Sequence, residues 1–226
     1  PDGHPAMSPE AADVAIVGAG IVGAACAREC ALRGLRVVLI ESSIVGGGAT
    51  AAGMGHIVVM DDSEAQRTLD RYSQTLWDEL AGRLPPSCEL RRSGTLWVAA
   101  DDEEMAEAER KRRLYAEHGI DATLLDARAL GREEPSLRRG LSGGLLVPGD
   151  SVVYPPAAAR FLLEEASSLG AELRLGTPVD LVDESAVRLA GGSTIRSRHV
   201  VNAAGSRAPD LSPGIPVRPR KGHLAI

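Results

Sequence analysis

Residues 13–41 read DVAIVGAGIVGAACARECALRGLRVVLIE, and this stretch decides the fold. It opens with an apolar run typical of a buried strand, and three glycines at the spacing G-x-G-x-x-G follow. A helical segment rich in small residues extends from 21 to about 33, and a second apolar run over 36–40 leads to the acid Glu41. The order strand, glycine turn, helix, strand and acid predicts one βαβ unit of a Rossmann-type α/β fold.

Each part of this motif has a role that suits a dinucleotide. The first glycine permits a tight turn, the second leaves room for a pyrophosphate beside the backbone, and the third lets the helix lie close to the sheet. The helix N-terminus offers free N–H groups to phosphates. The acid can accept hydrogen bonds from ribose hydroxyls and would repel a 2′-phosphate, which argues against NADP. The predicted cofactor-binding residues of this unit are Gly18, Gly20, Ile21, Val22, Gly23 and Glu41.

An ordinary βαβ unit with a glycine-rich turn is the alternative, because the chain contains 25 glycines. Dinucleotide binding is preferred because the strands, the helix and the acid all fall where that function requires them.

Composition restricts the class of protein. With 226 residues, 44% hydrophobic and 25% charged, the chain has the composition of a soluble globular protein of one or two domains. The net charge of −6 and an aromatic content of 3% give no reason to expect nucleic-acid binding. Three cysteines make no disulfide framework, and neither a metal site, a signal peptide nor a membrane span is indicated. A cytoplasmic protein is expected.

A second loop of glycines and small residues, 46–56, follows Glu41 and reads GGGATAAGMGH. Its backbone can lie against a flat ligand where larger side chains would clash. A flexible surface loop is the alternative, but the apolar run over 57–60 indicates that both ends of the loop are anchored.

The βαβ motif, Glu41 and the loop GGGATAAGMGH together resemble the FAD-dependent D-amino-acid oxidase superfamily, especially its glycine oxidase-like and D-amino-acid or D-hydroxyproline dehydrogenase-like members. In that family this loop runs past the pyrophosphate of FAD to the isoalloxazine ring. The resemblance therefore implies FAD as the cofactor, with Thr50 near the phosphates and 52–54 near the flavin. It adds to the predicted binding residues Ser42, Gly48, Thr50, Ala52, Gly53 and Met54.

The middle of the chain predicts helices and short strands. A helix from 63 to about 83 has apolar residues at helical spacing, which are expected to form its packing face: Leu69, Tyr72, Leu76, Trp77 and Leu80. The runs 89–91 and 95–98 flank a Ser-Gly pair and predict a β-hairpin.

A charged helix over 101–118, a strand over 123–125 and a short helix capped by Asp126 are expected next. We interpret 87–147 as an inserted lobe that makes part of the substrate pocket.

The last third returns to the first domain. Pro155 suits the start of a helix that extends to about 169, and strands are predicted over 171–175 and 199–205. Between them, short alternating runs over 181–195, split by two glycines, predict a β-hairpin or meander. In the resembling family, backbone at an equivalent valine holds the adenine, and the last strand ends beside FAD. The resemblance thus adds Val179, Ala203, Ala204 and Gly205 to the predicted binding residues.

The predicted fold is a Rossmann-type FAD-binding domain with an inserted α+β substrate domain. The FAD-binding domain is assigned to 11–86 and 148–210, and part of the substrate domain to 87–147 and 211–226. The resemblance covers only the first part of the family's usual length. Neither the arginine that would bind a substrate carboxylate nor the late glycine-rich segment of the flavin site is recognised. The chain is therefore expected to be incomplete, or complemented by another polypeptide.

The resemblance implies an FAD-dependent oxidoreductase that oxidises the C–N bond of a small amino or imino acid by hydride transfer to the flavin. Glycine, a D-amino acid, D-proline and hydroxyproline are the implied substrates, and oxygen or another carrier accepts the electrons. A homo- or hetero-oligomer is compatible with the sequence. His56 is the catalytic candidate, ahead of Tyr154 and His223, although a packing role is an equal alternative.

Two other functions remain open. In the first, the chain is a non-catalytic subunit of a hetero-oligomeric dehydrogenase that binds FAD or transfers electrons. In the second, it is an NAD-dependent dehydrogenase. The second is disfavoured because a nicotinamide enzyme does not require the second glycine loop. The sequence decides neither the substrate, its stereochemistry, nor the electron acceptor.

Overall fold

The computed structural model describes residues 12–59, 63–218, 220 and 222. These residues form two compact units. The first unit contains the described residues up to 53 and from 154 onward, and the second contains those from 54 to 153.

The strands, in chain order, are β1 (Ala12–Val17), β2 (Val37–Ile40), β3 (His56–Ile57), β4 (Thr95–Ala99), β5 (Thr123–Asp126), β6 (Gly143–Val147), β7 (Ser151–Val152), β8 (Glu172–Arg174), β9 (Val179–Val182), β10 (Ala186–Leu189) and β11 (Thr194–Asn202). The α-helices are α1 (Ile21–Leu32), α2 (Ala49–Ala52), α3 (Glu64–Ala81), α4 (Asp102–Glu117), α5 (Ala127–Glu133), α6 (Pro155–Ser168) and α7 (Ala208–Leu211). Single 3₁₀ turns occur at Pro86–Cys88 and Gly205–Arg207.

The first unit is built on a six-stranded sheet with the order β8-β2-β1-β11-β10-β9. Strands β8, β2, β1 and β11 are parallel, whereas β10 pairs antiparallel with both β11 and β9. Ala15 of the central strand β1 lies between Val38 of β2 and Val200 of β11. Strand β2 is buried along its whole length, as expected for an apolar strand within a parallel sheet. The predicted mixed α/β fold with a parallel sheet is confirmed.

Helices α1 and α6 pack against each other, and small residues make this close contact possible. Ala24, Ala27 and Ala31 are the buried alanines of α1, and α6 contributes its own buried alanines and leucines. Arg28 of α1 is almost fully buried, and its Nε lies 2.5 Å from Oε2 of Glu165 on α6. The charge of Arg28 is therefore neutralised within the helix pair.

The second unit contains an antiparallel sheet with the order β4-β6-β5 and the two-stranded pair β3-β7. Helix α4 contacts all three strands of the larger sheet, and Tyr115 of α4 is fully buried beside Leu145 of β6. The hydroxyl of Tyr115 donates to the carbonyl of Val59 at 3.2 Å. This packing links α4 to the segment that follows β3.

Asp150, at the turn between β6 and β7, connects several elements of this unit through hydrogen bonds. Its Oδ1 accepts hydrogen bonds from the amide of Val59 at 3.2 Å and from Nε2 of Gln74 at 3.0 Å. Gln74 lies on α3. Its hydrogen bond therefore connects α3 to the turn after β6, and through Asp150 to the segment after β3. The compact units consequently divide at 53/54 and 153/154, whereas the sequence assignment divided the chain at 86/87, 147/148 and 210/211. The functional assignment of each domain stays a prediction.

Two predictions about the second unit are wrong. Strand β4 does not form a hairpin with 89–91 but pairs with β6, and Arg91 makes only an isolated bridge to Val152. On α3, Leu69, Tyr72 and Leu76 are exposed rather than packed. The inward face of α3 instead includes the polar Gln74, because its amide bonds to Asp150.

Other elements agree with the sequence within a few residues. Asp126 caps α5 by accepting from the amide of Ala129 at 2.7 Å, and α6 begins at Pro155. The second glycine loop contains one unpredicted element, the four-residue helix α2. Among the described residues, no helix combines the length and apolar character that crossing a membrane requires.

Candidate functional site

Two adjoining cavities lie in the first unit, where β1, β2 and β11 end. The larger has a volume of about 580 Å³ and the smaller about 110 Å³. Gly18, Glu41, Ala204 and Arg207 line both of them. The carboxyl ends of neighbouring parallel strands are where open α/β sheets bind ligands.

The glycine turn after β1 is too close to its neighbours for any other residue. Gly18 has a φ of +107°, and a Cβ at this position would lie 2.4 Å from the carbonyl oxygen of Ala203. A Cβ on Gly23 would lie 1.9 Å from the carbonyl oxygen of Gly18. Gly18 and Gly23 therefore bring β1, the start of α1 and the end of β11 into close contact.

The N-terminus of α1 opens into the larger cavity. Ile21 donates its amide to Oγ1 of Thr50 at 3.0 Å, so the threonine of the second loop caps the helix. Among the described residues, no acceptor outside the helix bonds to the next two amides, those of Val22 and Gly23. Free amides at a helix N-terminus, together with the helix dipole, favour an anion. A Cβ added to Gly20 would contact only the Thr50 hydroxyl, at 3.0 Å. The backbone of Gly20 therefore has space beside it for a ligand.

Glu41 is held in one orientation at the end of β2. Its Oε2 accepts from the amide of Ala19 at 2.8 Å, and its Oε1 accepts from the amide of Ser43 at 2.7 Å. Oε1 also accepts from the hydroxyl of Ser42 at 3.4 Å. Because a carboxylate has about four acceptor sites, one site on Oε2 remains for a ligand hydroxyl while Glu41 supports the glycine turn.

The turn after β11 is organised by Asn202. Its Nδ2 donates to the carbonyl of Ala208 at 3.0 Å and to Oγ of Ser212 at 2.9 Å, and its Oδ1 accepts from the amide of Ala204 at 3.2 Å. These bonds fix the 3₁₀ turn and α7 beside the strand end. Arg207, the last residue of that turn, reaches both cavities.

Most of the residues predicted to bind the cofactor line one of the cavities. The larger cavity contains the motif residues and the second loop: Gly18, Gly20, Ile21, Val22, Glu41, Gly48, Thr50, Ala203, Ala204 and Gly205. Ser42 and Val179 line the smaller cavity. Gly23, Ala52 and Gly53 are not among the lining residues, and Met54 is an exposed residue of the second unit.

Sequence reasoning missed Asn202 and Arg207, which also line the larger cavity. Both residues flank the AAG sequence that it did identify. The position of Asn202 directly after the apolar pair Val200-Val201 was the available signal.

His56 and Tyr154, two of the catalytic candidates, are not among the residues that line these cavities. His56 is an exposed residue of β3 that pairs with Val152, within the second unit. Tyr154 is half exposed at the N-terminus of α6, and His223 lies outside the described residues. Burial raises the pKa of the Asp150 carboxyl, and the His56 charge and three hydrogen-bond donors oppose that shift only in part. Within the described ranges, no group of three metal-binding side chains occurs.

Comparison with known proteins agrees with this geometry. The sequence model of the family "FAD dependent oxidoreductase", DAO, matches residues 13–226. A bifunctional ThiO/ThiG protein of Nostoc sp. is 32% identical over 225 residues, which are 94% of this chain and 33% of that protein.

Glycine oxidase from Geobacillus kaustophilus is 30% identical over 229 residues, which are 95% of this chain and 61% of that enzyme. A crystal structure of glycine oxidase from this species has a TM-score of 0.81 over 88% of this chain and 57% of that structure's chain. One component of the anaerobic glycerol-3-phosphate dehydrogenase of Escherichia coli is 29% identical over 96% of this chain and 42% of its own length.

The chain spans between 33% and 61% of the length of these curated relatives. The family match nevertheless covers the whole glycine motif, both loops at the cavities and the strand ends that position them. The chain therefore belongs to the DAO family of FAD-dependent oxidoreductases.

Proposed function

We propose that this chain binds FAD in the two adjoining cavities and takes part in oxidising the C–N bond of a small amino or imino acid. The observation that carries the proposal is the combination of open α1 amides, the Gly20 backbone and the Glu41 carboxylate at one sheet edge. FAD is the cofactor of the family. When bound, it accepts two electrons from the substrate's C–H bond.

The residues of the cavities suit the parts of FAD in order. The free amide of Val22 and the space before Gly20 suit the pyrophosphate. Glu41 suits ribose hydroxyls, and the smaller cavity, which Val179 lines in part, suits an adenine ring. Each of these groups is proposed to bind and orient the cofactor.

The binding residues without a place in the cavities remain part of the proposal through the family resemblance alone. These are Ala52, Gly53 and Met54, which the resemblance puts near the flavin. Gly23 is proposed to act by close packing of α1, because its Cα faces the Gly18 carbonyl.

The amino-acid substrate is supported by the relative named glycine oxidase. The relative from the anaerobic glycerol-3-phosphate dehydrogenase supports a second candidate, in which the chain is the FAD-binding part of a larger dehydrogenase. Glycine, a D-amino acid, D-proline and hydroxyproline are the proposed substrates, with oxygen or another carrier as the acceptor.

Cofactor binding is tested first, by titrating the apoprotein with FAD and measuring its dissociation constant. Glu41→Gln is expected to weaken FAD binding roughly tenfold or more, because it replaces a charged hydrogen-bond acceptor. Glu172→Gln, on the exposed edge strand β8, removes the same charge away from the cavities and serves as the matched control. Equal affinities of the two variants would contradict the role of Glu41.

Substrate class is tested by adding compounds to the FAD-loaded protein without oxygen and recording the flavin absorption. Glycine, sarcosine, D-proline or cis-4-hydroxy-D-proline is expected to bleach the spectrum. Bleaching by glycerol-3-phosphate alone would overturn the amino-acid substrate. A flavin that none of them reduces would favour the second candidate, in which another polypeptide completes the active site.

A further inference from the structure

The cavities present an imbalance of charge toward the cofactor proposed above. FAD carries a pyrophosphate with two negative charges at neutral pH, and the cavities already contain the Glu41 carboxylate. The segment 42–56, which includes the second glycine loop, contains neither lysine nor arginine. Of the described residues that line the two cavities, Arg207 alone has a cationic side chain.

The guanidinium of Arg207 is available for a ligand. Its Nε lies 3.6 Å from Oδ2 of Asp210, which exceeds hydrogen-bonding distance. Both side chains are mostly exposed, at 71% and 66%. Because exposed ion pairs of this kind contribute little, Asp210 does not hold the guanidinium against a stronger anion.

The backbone of Arg207, by contrast, is fixed at the cavities. Its amide donates to the carbonyl of Ala204 at 3.1 Å, and Asn202 binds the carbonyl of the next residue, Ala208. The turn thus starts at the strand end and places position 207 where the larger and the smaller cavity adjoin. A side chain there is close both to the phosphate-binding amides and to the ribose-binding acid.

We propose that Arg207 is a cofactor-binding residue whose guanidinium pairs with the pyrophosphate of FAD. The inference rests on the proposed FAD site and adds its cationic group. A guanidinium forms two parallel charged hydrogen bonds with phosphate oxygens, so it offsets part of the negative charge of the pyrophosphate.

The test compares the binding of FAD, ADP and adenosine to the apoprotein by calorimetry. Arg207→Gln is expected to weaken FAD and ADP at least roughly tenfold and to leave adenosine within about twofold, since adenosine lacks the pyrophosphate. Arg207→Lys is expected to bind ADP more tightly than Arg207→Gln but less tightly than the wild type, because an ammonium group retains the charge without the fork of the guanidinium. Arg160→Gln, an exposed arginine of α6 in the same unit, is the matched control and is expected to bind all three ligands like the wild type.

Two results would overturn the inference while leaving the FAD site intact. In one, Arg207→Gln binds FAD and ADP as tightly as Arg160→Gln does. In the other, adenosine affinity falls as much as ADP affinity, which would assign Arg207 to the nucleoside. A wild-type protein that binds neither FAD nor ADP would overturn the proposed function as well. Circular dichroism of each variant confirms that the fold is retained.

Discussion

At the residue scale, Asp13 and Arg36 form an ion pair that joins the N-terminal ends of β1 and β2. Oδ2 of Asp13 accepts from the amide of Arg36 at 2.9 Å and from its Nε at 3.1 Å, and Nη2 donates to Oδ1 at 3.2 Å. These bonds lower the pKa of the Asp13 carboxyl from 3.8 to about 2. An aspartate with a lowered pKa in the folded state stabilises that state only while it is ionised.

Asp13→Asn is therefore expected to reduce stability at neutral pH. A carboxyl with a lowered pKa adds stability above its unfolded pKa and loses it as pH falls toward the folded value. The difference between wild type and variant should accordingly shrink as pH falls from about 4 to about 2. Thermal unfolding across this range measures the difference, with Asp180→Asn, at an exposed position of β9, as the control. A difference that stays constant down to pH 2 would refute the role of the ionised group.

A second prediction at this scale concerns Gly23. Gly23→Ala is expected to destabilise the first unit by about 1–3 kcal/mol, because its Cβ would overlap the Gly18 carbonyl and force α1 away from β1. Gly131→Ala is the control, since position 131 lies within α5 and no atom lies within 4 Å of an added Cβ. That substitution is expected to be neutral or stabilising by about 0.4–1 kcal/mol. Chemical unfolding of both variants decides the matter, and similar effects of the two would contradict the prediction.

At the scale of elements, local motifs were predictable and distant pairings were not. The spacing of the glycines and Glu41 lies within one βαβ unit, so local sequence locates strand, turn and helix. The partner of β4 is β6, more than forty residues later, and nothing in the sequence 95–98 indicates that choice. Arg207 was missed for a similar reason, because its approach to the cavities depends on the turn that Asn202 fixes.

Helix α3 shows a different limit of sequence patterns. Its apolar residues follow helical spacing, but Leu69 and Tyr72 are exposed while Gln74 faces inward. A buried carboxylate on another element determines this orientation, and helical periodicity carries no information about it. Asp150 is 2% exposed and binds both Gln74 of α3 and Val59, two residues after β3.

Asp150 therefore makes the second unit sensitive to pH. Burial raises the pKa of this carboxyl above 3.8, so the folded state holds its proton more strongly than the unfolded state. The contribution of Asp150 to stability is then greatest at low pH and falls as pH rises through the raised pKa. Relative to Asp150→Asn, which does not titrate, the wild type is expected to lose stability over this range.

Tryptophan fluorescence measures this effect in the right unit, because both tryptophans of the chain, Trp77 and Trp97, belong to the second unit. Urea unfolding at several pH values above 3.8 gives the difference between wild type and Asp150→Asn. Asp150→Ala is expected to cost about 1–3 kcal/mol at the low end of this pH range and less as pH rises, since it leaves the Val59 amide and Gln74 without their acceptor. A pH-independent difference between wild type and Asp150→Asn would contradict the raised pKa.

At the scale of the whole molecule, all residues that line the two cavities belong to the first compact unit. A ligand stabilises the structure that binds it by mass action, so FAD at about 100 times its dissociation constant adds about 2.7 kcal/mol. Amides of β1, β2 and α1 that exchange only on unfolding of this unit are therefore expected to exchange roughly a hundredfold more slowly with FAD. The amides of α4 and β6 are an internal reference, because they lie in the other unit.

Hydrogen exchange followed by mass spectrometry measures both sets of amides in one sample. Riboflavin, which lacks the pyrophosphate and the adenosine, is the matched ligand and is expected to protect β1 and α1 far less than FAD does. Protection that is equal in α1 and α4 would show that the cofactor stabilises the chain as a whole rather than through the glycine turn. Protection confined to α4 and β6 would contradict the assignment of the cavities, because the Gly18 turn, the α1 amides and Glu41 would then have no contact with FAD.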